Sequence, residues 1–306
     1  MTQLAPDRSV MPPEPVIAGE NVSRGRNRQL AMPNWVKCLV GCLFTLLASA
    51  TGCGTREQSP PPHASPPGGV RSARVAAASD LRVVFPVLRE EFCRLNPTFD
   101  LEPTFGSSGQ FFTQISQGAP FDLFLSADVE LVRKLAHTNA RHPAPTPFEY
   151  ASGQLALWVP DQSSLTLSEE LPTVLREIPP GKIAMANPEH APYGRAAREV
   201  LENLELGTSL GQHLVLADNV AHALQFADSG GAAAAFVAVS LVCKGPASLR
   251  GKWRVVPGHL HRPIHQGGLV LPGGAGEPAA ALFAEWLQSG PAQQILRDHG
   301  FLAGKE

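Results

Sequence analysis

The chain has 306 residues, 43% of them apolar, with 25 Lys and Arg against 27 Asp and Glu for a formal charge of −2. That balance, with no basic face, argues against a nucleic-acid partner. Five cysteines without a CxxC pair, no His/Cys cluster at zinc spacing and no phosphate-loop glycine–lysine motif argue against a structural metal, a bound cofactor and ATP hydrolysis.

The first segment does not read as fold. Residues 1–31 are polar, with Arg24, Arg26 and Arg28 as a basic cluster, and Trp35 and Lys37 precede an apolar run of thirteen residues from Cys38 to Ala50. Thirteen is too short to span a bilayer and right for a signal-peptide core. The run ends in Ala50-Thr51-Gly52-Cys53, which resembles a bacterial lipobox with Ala50 where Leu is usual. Residues 1–52 are therefore expected to be removed as a signal region and Cys53 to be diacylated, anchoring the chain to the outer side of a membrane. Ordinary cleavage near Ala50 is the alternative, and the long basic region leaves Met1 or Met32 as the start. Residues 53–72, rich in Pro, Ser, Gly and His, read as a flexible tether. Beyond Cys53 only Cys93 and Cys243 remain, and their pairing is open.

From residue 73 onward, α and β patterns alternate. Val75-Ala76-Ala77-Ala78 reads as a strand feeding through Ser79-Asp80 into a helix with Leu81, Val84, Phe85, Leu88, Phe92 and Leu95 on one face. Asp100–Phe105 is a second strand, followed by Gly106-Ser107-Ser108-Gly109 and a helix carrying Phe111, Phe112 and Ile115. Asp122–Ser126, Gln154–Val159, Lys182–Ala186, Leu214–Leu216, Ala233–Val239, Arg254–Val256 and Gly268–Leu271 are further strands. Helices are expected over Val129–Ala136, Arg195–Leu204, after Asp218-Asn219-Val220, over Ala279–Leu287 and over Ala292–Phe301. The alternation predicts a mainly parallel α/β architecture.

Ser79 stands where an N-cap belongs, and Ser108 follows the next strand in the same way. Two such junctions in a parallel sheet share its C-terminal edge, where open α/β folds bind ligands. A helix start there attracts anions. The only cations nearby, Arg74 and Arg82, flank the first junction without belonging to it, so such a site holds an anion by dipoles and hydroxyls.

Val75–Asp80, Phe105–Gln110 and Gly118–Asp128 together resemble the molybdate-binding proteins of bacterial ABC importers. Asn187–Gly194, Asp218–Val220 and Gly290–Phe301 continue the likeness in order and spacing across residues 73–306. The resemblance implies a type II periplasmic-binding-protein fold, two α/β lobes joined by a two-strand hinge with the ligand cleft between them. Lobe 1 would comprise residues 73–151 plus 259–306 and lobe 2 residues 152–258, the chain leaving near Ser152 and returning near Gly258. It further implies a monomeric extracytoplasmic binding protein for molybdate or tungstate that delivers its cargo to permease subunits. Carried over by position, the hydroxyl and N–H of Ser79 and Ser108 and the N–H of Tyr193 and Val220 would hold the oxyanion. Some members add a tyrosine hydroxyl from the strand that here reads Phe236–Ser240, at Val237 or Ala238, neither of which can donate. The Tyr193 phenol could replace it, or the site makes one contact fewer.

Asp122 and Asp128 are expected to cap and to bond within the fold, Glu189 and His190 to make local bonds in a Pro-flanked loop, and His259, His261 and His265 to be ordinary surface residues rather than a metal patch. Two other functions were open on sequence: a binder of another tetrahedral oxyanion such as sulfate or phosphate, and a hydrolase with Ser108 as nucleophile and His190 as base. A donor-only wall, with Asp122, Asp128 and Glu189 turned away, predicts rejection of phosphate near neutral pH, because a ligand O–H would be buried unpaired.

Overall fold

The run Val75–Ala78 is buried on both sides because it lies in an interior strand of a sheet. In the computed structural model, residues 70–138, 146–167, 170–179, 182–210, 214–246, 249–271, 273–274 and 276–304 are described. The signal region, Cys53 and most of the tether fall outside them. No helix of the described residues is long and apolar enough to cross a membrane.

The first lobe begins with β1 (Arg71–Ala78), a 3-10 turn (Ser79–Leu81) and α1 (Phe85–Leu95). β2 (Phe99–Gly106), α2 (Ser108–Ser116), β3 (Leu123–Ser126), α3 (Val129–Thr138) and β4 (Phe148–Gly153) follow. One residue later the chain enters the second lobe: β5 (Leu155–Pro160), α4 (Leu171–Glu177), β6 (Ile183–Ala186), α5 (Pro192–Asn203), α6 (Gly207–Leu210), β7 (Leu214–Ala217), α7 (Val220–Asp228), β8 (Ala234–Ala238), α8 (Val239–Val242) and β9 (Gly251–Val255). A second 3-10 turn (Gly258–Leu260) leads back to β10 (Ile264–Val270), α9 (Glu277–Leu287) and α10 (Gly290–Asp298).

Each lobe carries a five-stranded sheet, ordered β2-β1-β3-β10-β4 and β7-β6-β8-β5-β9. In each, four of the five strands run in one direction, as the alternation predicts, and a single strand runs against them. β2, β1 and β3 are parallel, as are β7, β6 and β8, but β10 runs against β3 and β4, and β5 against β8 and β9. The cause is topological: β5 and β10 enter their sheets from the other lobe, starting at the edge where the parallel strands end. The sheets change over at Gln154 and again between Val255 and Ile264.

The first sheet packs α1, α9 and α10 on one face through Phe85, Phe92, Phe283 and Leu296, and α2 and α3 on the other through Phe111, Val132 and Leu135. The Phe92 and Phe283 rings meet edge to face at 5.2 Å. Full burial of one such ring contributes about 1.5–3 kcal/mol. Trp158 and Phe236, both 1% exposed, anchor the second lobe's core. Cys93 and Cys243 are free thiols and belong to the cores of different lobes, so they do not pair.

Candidate functional site

Four parallel strands, β1 and β2 from the first lobe and β6 and β7 from the second, end at one small cavity between the lobes. Its wall includes Ser79, Asp80, Ser107, Ser108, Tyr193, Asn219 and Val220. The space open to the centre of a water-sized sphere is about 10 Å³, about one sphere's worth. The four residues expected at the ligand, Ser79, Ser108, Tyr193 and Val220, thus share one wall, and no Lys, Arg or His joins them.

Their donors differ in origin. Ser79 is not the N-cap of a long helix. It opens the 3-10 turn, and α1 starts only at Phe85 behind Val84, because the Pro at position 86 suits the first turn of a helix. The Ser79 hydroxyl has no hydrogen-bond partner among the described residues. Ser108 is the first residue of α2, after Ser107 as N-cap; its Oγ accepts the Ala127 N–H at 2.9 Å, which leaves the hydroxyl proton free to donate.

α5 starts at Pro192, three residues before the expected Arg195, since a Pro without an N–H is at home at the first helical position. Tyr193 is then the second residue, and its N–H is one of the donors a helix start leaves unpaired. In α7, Asn219 caps with its side chain, accepting the N–H groups of Ala221 and His222 at 3.1 Å each and leaving that of Val220 free. Three helix N-termini and two serine hydroxyls therefore converge on the cavity, an arrangement that attracts an anion by aligned dipoles.

The lobes are shut around it. The His190 carbonyl accepts the Ser107 hydroxyl at 2.6 Å and the Gly109 N–H at 2.9 Å across the cleft. Arg195 of α5 bridges to Asp128 of the first lobe. A side-chain Cβ at Gly109 would lie 2.6 Å from the His190 oxygen, so only glycine permits this approach. A larger groove of about 330 Å³ adjoins the cleft, but its cations are already matched, Arg195 by Asp128 and Arg262 by Glu199.

The remaining candidates are accounted for locally. Asp122 takes the Arg74 N–H and guanidinium at 2.8 and 3.2 Å, and Asp128 accepts the Glu130 N–H at 2.9 Å at the start of α3. Glu189 is exposed beside Arg198. The Arg82 guanidinium lies over the Phe105 ring at 5.3 Å. His259 is in a 3-10 turn rather than an extended segment, and His265 pairs with Ser152. The His190 ring faces the Asp218 carbonyl at 3.1 Å and is not bonded to Ser108, so the nucleophile–base pair of the hydrolase reading is not formed.

Two features correct the expectation of a donor-only wall. The Tyr193 phenol does not stand in for the missing tyrosine, since it donates to Asp80 Oδ2 at 3.0 Å. Val237 and Ala238 are fully buried in β8. Asp80 itself, 0% exposed, lines the cavity and brings a carboxyl that the sequence reading passed over. Placed directly after Ser79 at a strand–helix junction, it carries no linear signal of an interior position.

Residues 73–302 match the family described as bacterial extracellular solute-binding protein. The molybdate-binding protein ModA of Rhodobacter capsulatus is 38% identical over 201 residues, covering 65% of this chain and 75% of the relative. ModA of Azotobacter vinelandii is 35% identical over 198 residues, covering 65% and 77%. The solved periplasmic molybdate-binding protein of Azotobacter vinelandii superposes with a TM-score of 0.69 at 28% identity, covering 76% of this chain and all of that one. With a two-lobed fold, an interlobe cavity and a match over residues 73–302, the chain belongs to the bacterial extracellular solute-binding proteins, alongside these molybdate-binding relatives.

Proposed function

We propose that this chain captures molybdate, or its analogue tungstate, between its lobes outside the cytoplasm and delivers it to the permease of an ABC transporter, without catalysing a reaction. The observation that carries the reading is the cavity wall: the Ser108, Tyr193 and Val220 N–H groups and two serine hydroxyls, with no cation to favour one anion by charge alone. The names of the relatives above supply the choice of oxyanion. Closing of the lobes over the ligand is the change a permease can read. A lipid on Cys53 would hold the monomeric protein at the membrane; this part of the proposal rests on the lipobox-like sequence, and fractionation of cells making Cys53→Ala tests it.

Calorimetric titration of the purified protein with molybdate, tungstate, sulfate and phosphate tests the main reading. Molybdate or tungstate is expected to bind at micromolar affinity or tighter. At about a thousand times the dissociation constant it should add about 4 kcal/mol to stability. A larger thermal shift with sulfate than with molybdate would refute the assignment.

A further inference from the structure

Asp80 is the one carboxyl in the cavity wall. Its Oδ2 accepts the Tyr193 hydroxyl at 3.0 Å and the Gln266 Nε2 at 2.6 Å, and Gln266 in turn accepts the Tyr150 hydroxyl at 2.9 Å. Its backbone carbonyl accepts the Ser240 hydroxyl at 2.7 Å. The side chain is thereby fixed from the first lobe, from α5 of the second and from the crossing strand β10. Gly153 leaves the room for this, since a Cβ there would sit 2.1 Å from the Tyr193 hydroxyl. The other carboxyl oxygen, Oδ1, is buried without a hydrogen-bond partner.

An ionised carboxylate and a dianion in one small cavity, with no cation between them, repel each other. One proton on Oδ1 removes the repulsion and supplies a donor where an unpaired acceptor stood. We propose that Asp80 determines specificity in this pocket by holding one proton when the oxyanion is bound, so that a fully deprotonated dianion and a proton enter together. The inference rests on the oxyanion reading of the same cavity. The contacts would be hydrogen bonds to the ligand's oxygens, with no protein atom bonded to its central metal.

The surroundings favour this. Burial pushes the Asp80 carboxyl up to about 6, against the lowering effect of Gln266, Tyr193 and the backbone N–H groups of Asp80 and Leu81. The elements packed around it bring no bonded charge: Tyr193 and Tyr150 are neutral phenols that burial holds well above their usual range. On α7, His222 pairs with Asp218 and Asp228 stands at the far end. On α5, Arg195 pairs with Asp128, Arg198 with Glu189 and Glu199 with Arg262, and on β10 His265 bonds Ser152. On β2, Asp100 pairs with Arg89 and Glu102 makes no bond to Asp80; α8 has no ionisable side chain. Near pH 7.5 the ligand-free carboxyl is therefore mostly ionised, and binding must draw a proton from solvent.

Calorimetry of molybdate binding at pH 7.5, in buffers of different protonation enthalpy, reads that proton directly. About one proton taken up per molybdate is expected, with the dissociation constant rising roughly tenfold per pH unit between about pH 6.5 and 8.5. Asp80→Asn, whose amide mimics the protonated acid, should bind molybdate with no uptake and no pH dependence. His190→Gln, which removes the imidazole that faces Gln110 across the cleft and keeps the backbone carbonyl, should retain both. Molybdate binding without uptake by the unaltered protein overturns the inference and leaves the oxyanion reading standing, and needs no variant. Uptake that survives Asp80→Asn or vanishes in His190→Gln also overturns it. No binding of molybdate or tungstate at any pH overturns the oxyanion reading, and the inference with it.

Discussion

Replacing Ser108 and Ser107 by Ala, one at a time, separates a ligand donor from a lobe clasp one residue away. Ser108 Oγ accepts the buried Ala127 N–H at 2.9 Å and keeps its own proton for the cavity. Ser107 Oγ spends its proton on the His190 carbonyl at 2.6 Å. A hydrogen bond to a charged group contributes about 1.5–3 kcal/mol and a neutral one about 0.5–1.5. Ser108→Ala should therefore weaken molybdate binding about 10- to 150-fold, and Ser107→Ala about 2- to 10-fold. Stability of the ligand-free protein moves separately. Ser108→Ala strands the Ala127 N–H at a cost of about 1–3 kcal/mol, whereas Ser107 bonds across the cleft and its loss is felt only when the lobes are shut. Calorimetry gives the first pair of numbers and urea unfolding without ligand the second. Equal losses of affinity, or a larger one for Ser107→Ala, would show that the wrong hydroxyl has been assigned to the ligand.

Gly109→Ala places a Cβ 2.6 Å from the His190 carbonyl, so the cleft cannot shut fully. Molybdate affinity should fall at least about tenfold while the ligand-free protein gains up to about 1 kcal/mol from the better helix former, measured by calorimetry and urea unfolding. Asp80→Asn should gain stability over the unaltered protein as pH rises. A carboxyl raised from 3.8 to about 6 in the fold contributes fully below pH 3.8 and loses that contribution as pH climbs through about 6, some 3 kcal/mol in all. Unfolding free energies of both proteins between pH 4 and 7.5 check the difference, and parallel curves would contradict it.

Much of the fold was legible because its signals are local. The apolar run Val75–Ala78, the helical spacing from Leu81 to Leu95 and the polar junctions after the strands each reflect burial of one short element. The site was legible for the same reason: Ser108 and Val220 start helices directly after strand ends, and Asn219 is a good cap by its chemistry. What was missed depends on distant partners. β4 escaped notice because Phe148–Gly153 shows little apolar alternation and is held by pairing with β10, more than a hundred residues away. The one strand that runs against the other four in each sheet follows from where the chain crosses between lobes, which no short window contains. Asp80 could not be recognised as interior because its partners Tyr193, Ser240 and Gln266 lie 113 to 186 residues along the chain.

Asp80 also changes what the pocket should do with phosphate. The donor-only argument required Asp122, Asp128 and Glu189 to stand away from the ligand, and they do, beside Arg74, Arg195 and Arg198. The wall nonetheless holds a carboxyl, so exclusion of phosphate becomes a function of pH. Below about pH 6 Asp80 carries its own proton. A phosphate O–H then finds no acceptor and is buried at a cost of about 1–3 kcal/mol. Above it, the bare Oδ1 can accept that O–H, and hydrogen phosphate brings the proton that molybdate must draw from solvent. Counted per hydrogen phosphate dianion, the preference for molybdate should thus shrink from about pH 6 to 8, by up to roughly a hundredfold at tenfold per unit. Displacement of bound molybdate by phosphate at pH 6, 7 and 8 measures the ratio, and Asp80→Asn should hold it constant. A ratio in the unaltered protein that does not move across this range would mean that Oδ1 never meets the ligand, and that size and dipoles alone select the oxyanion.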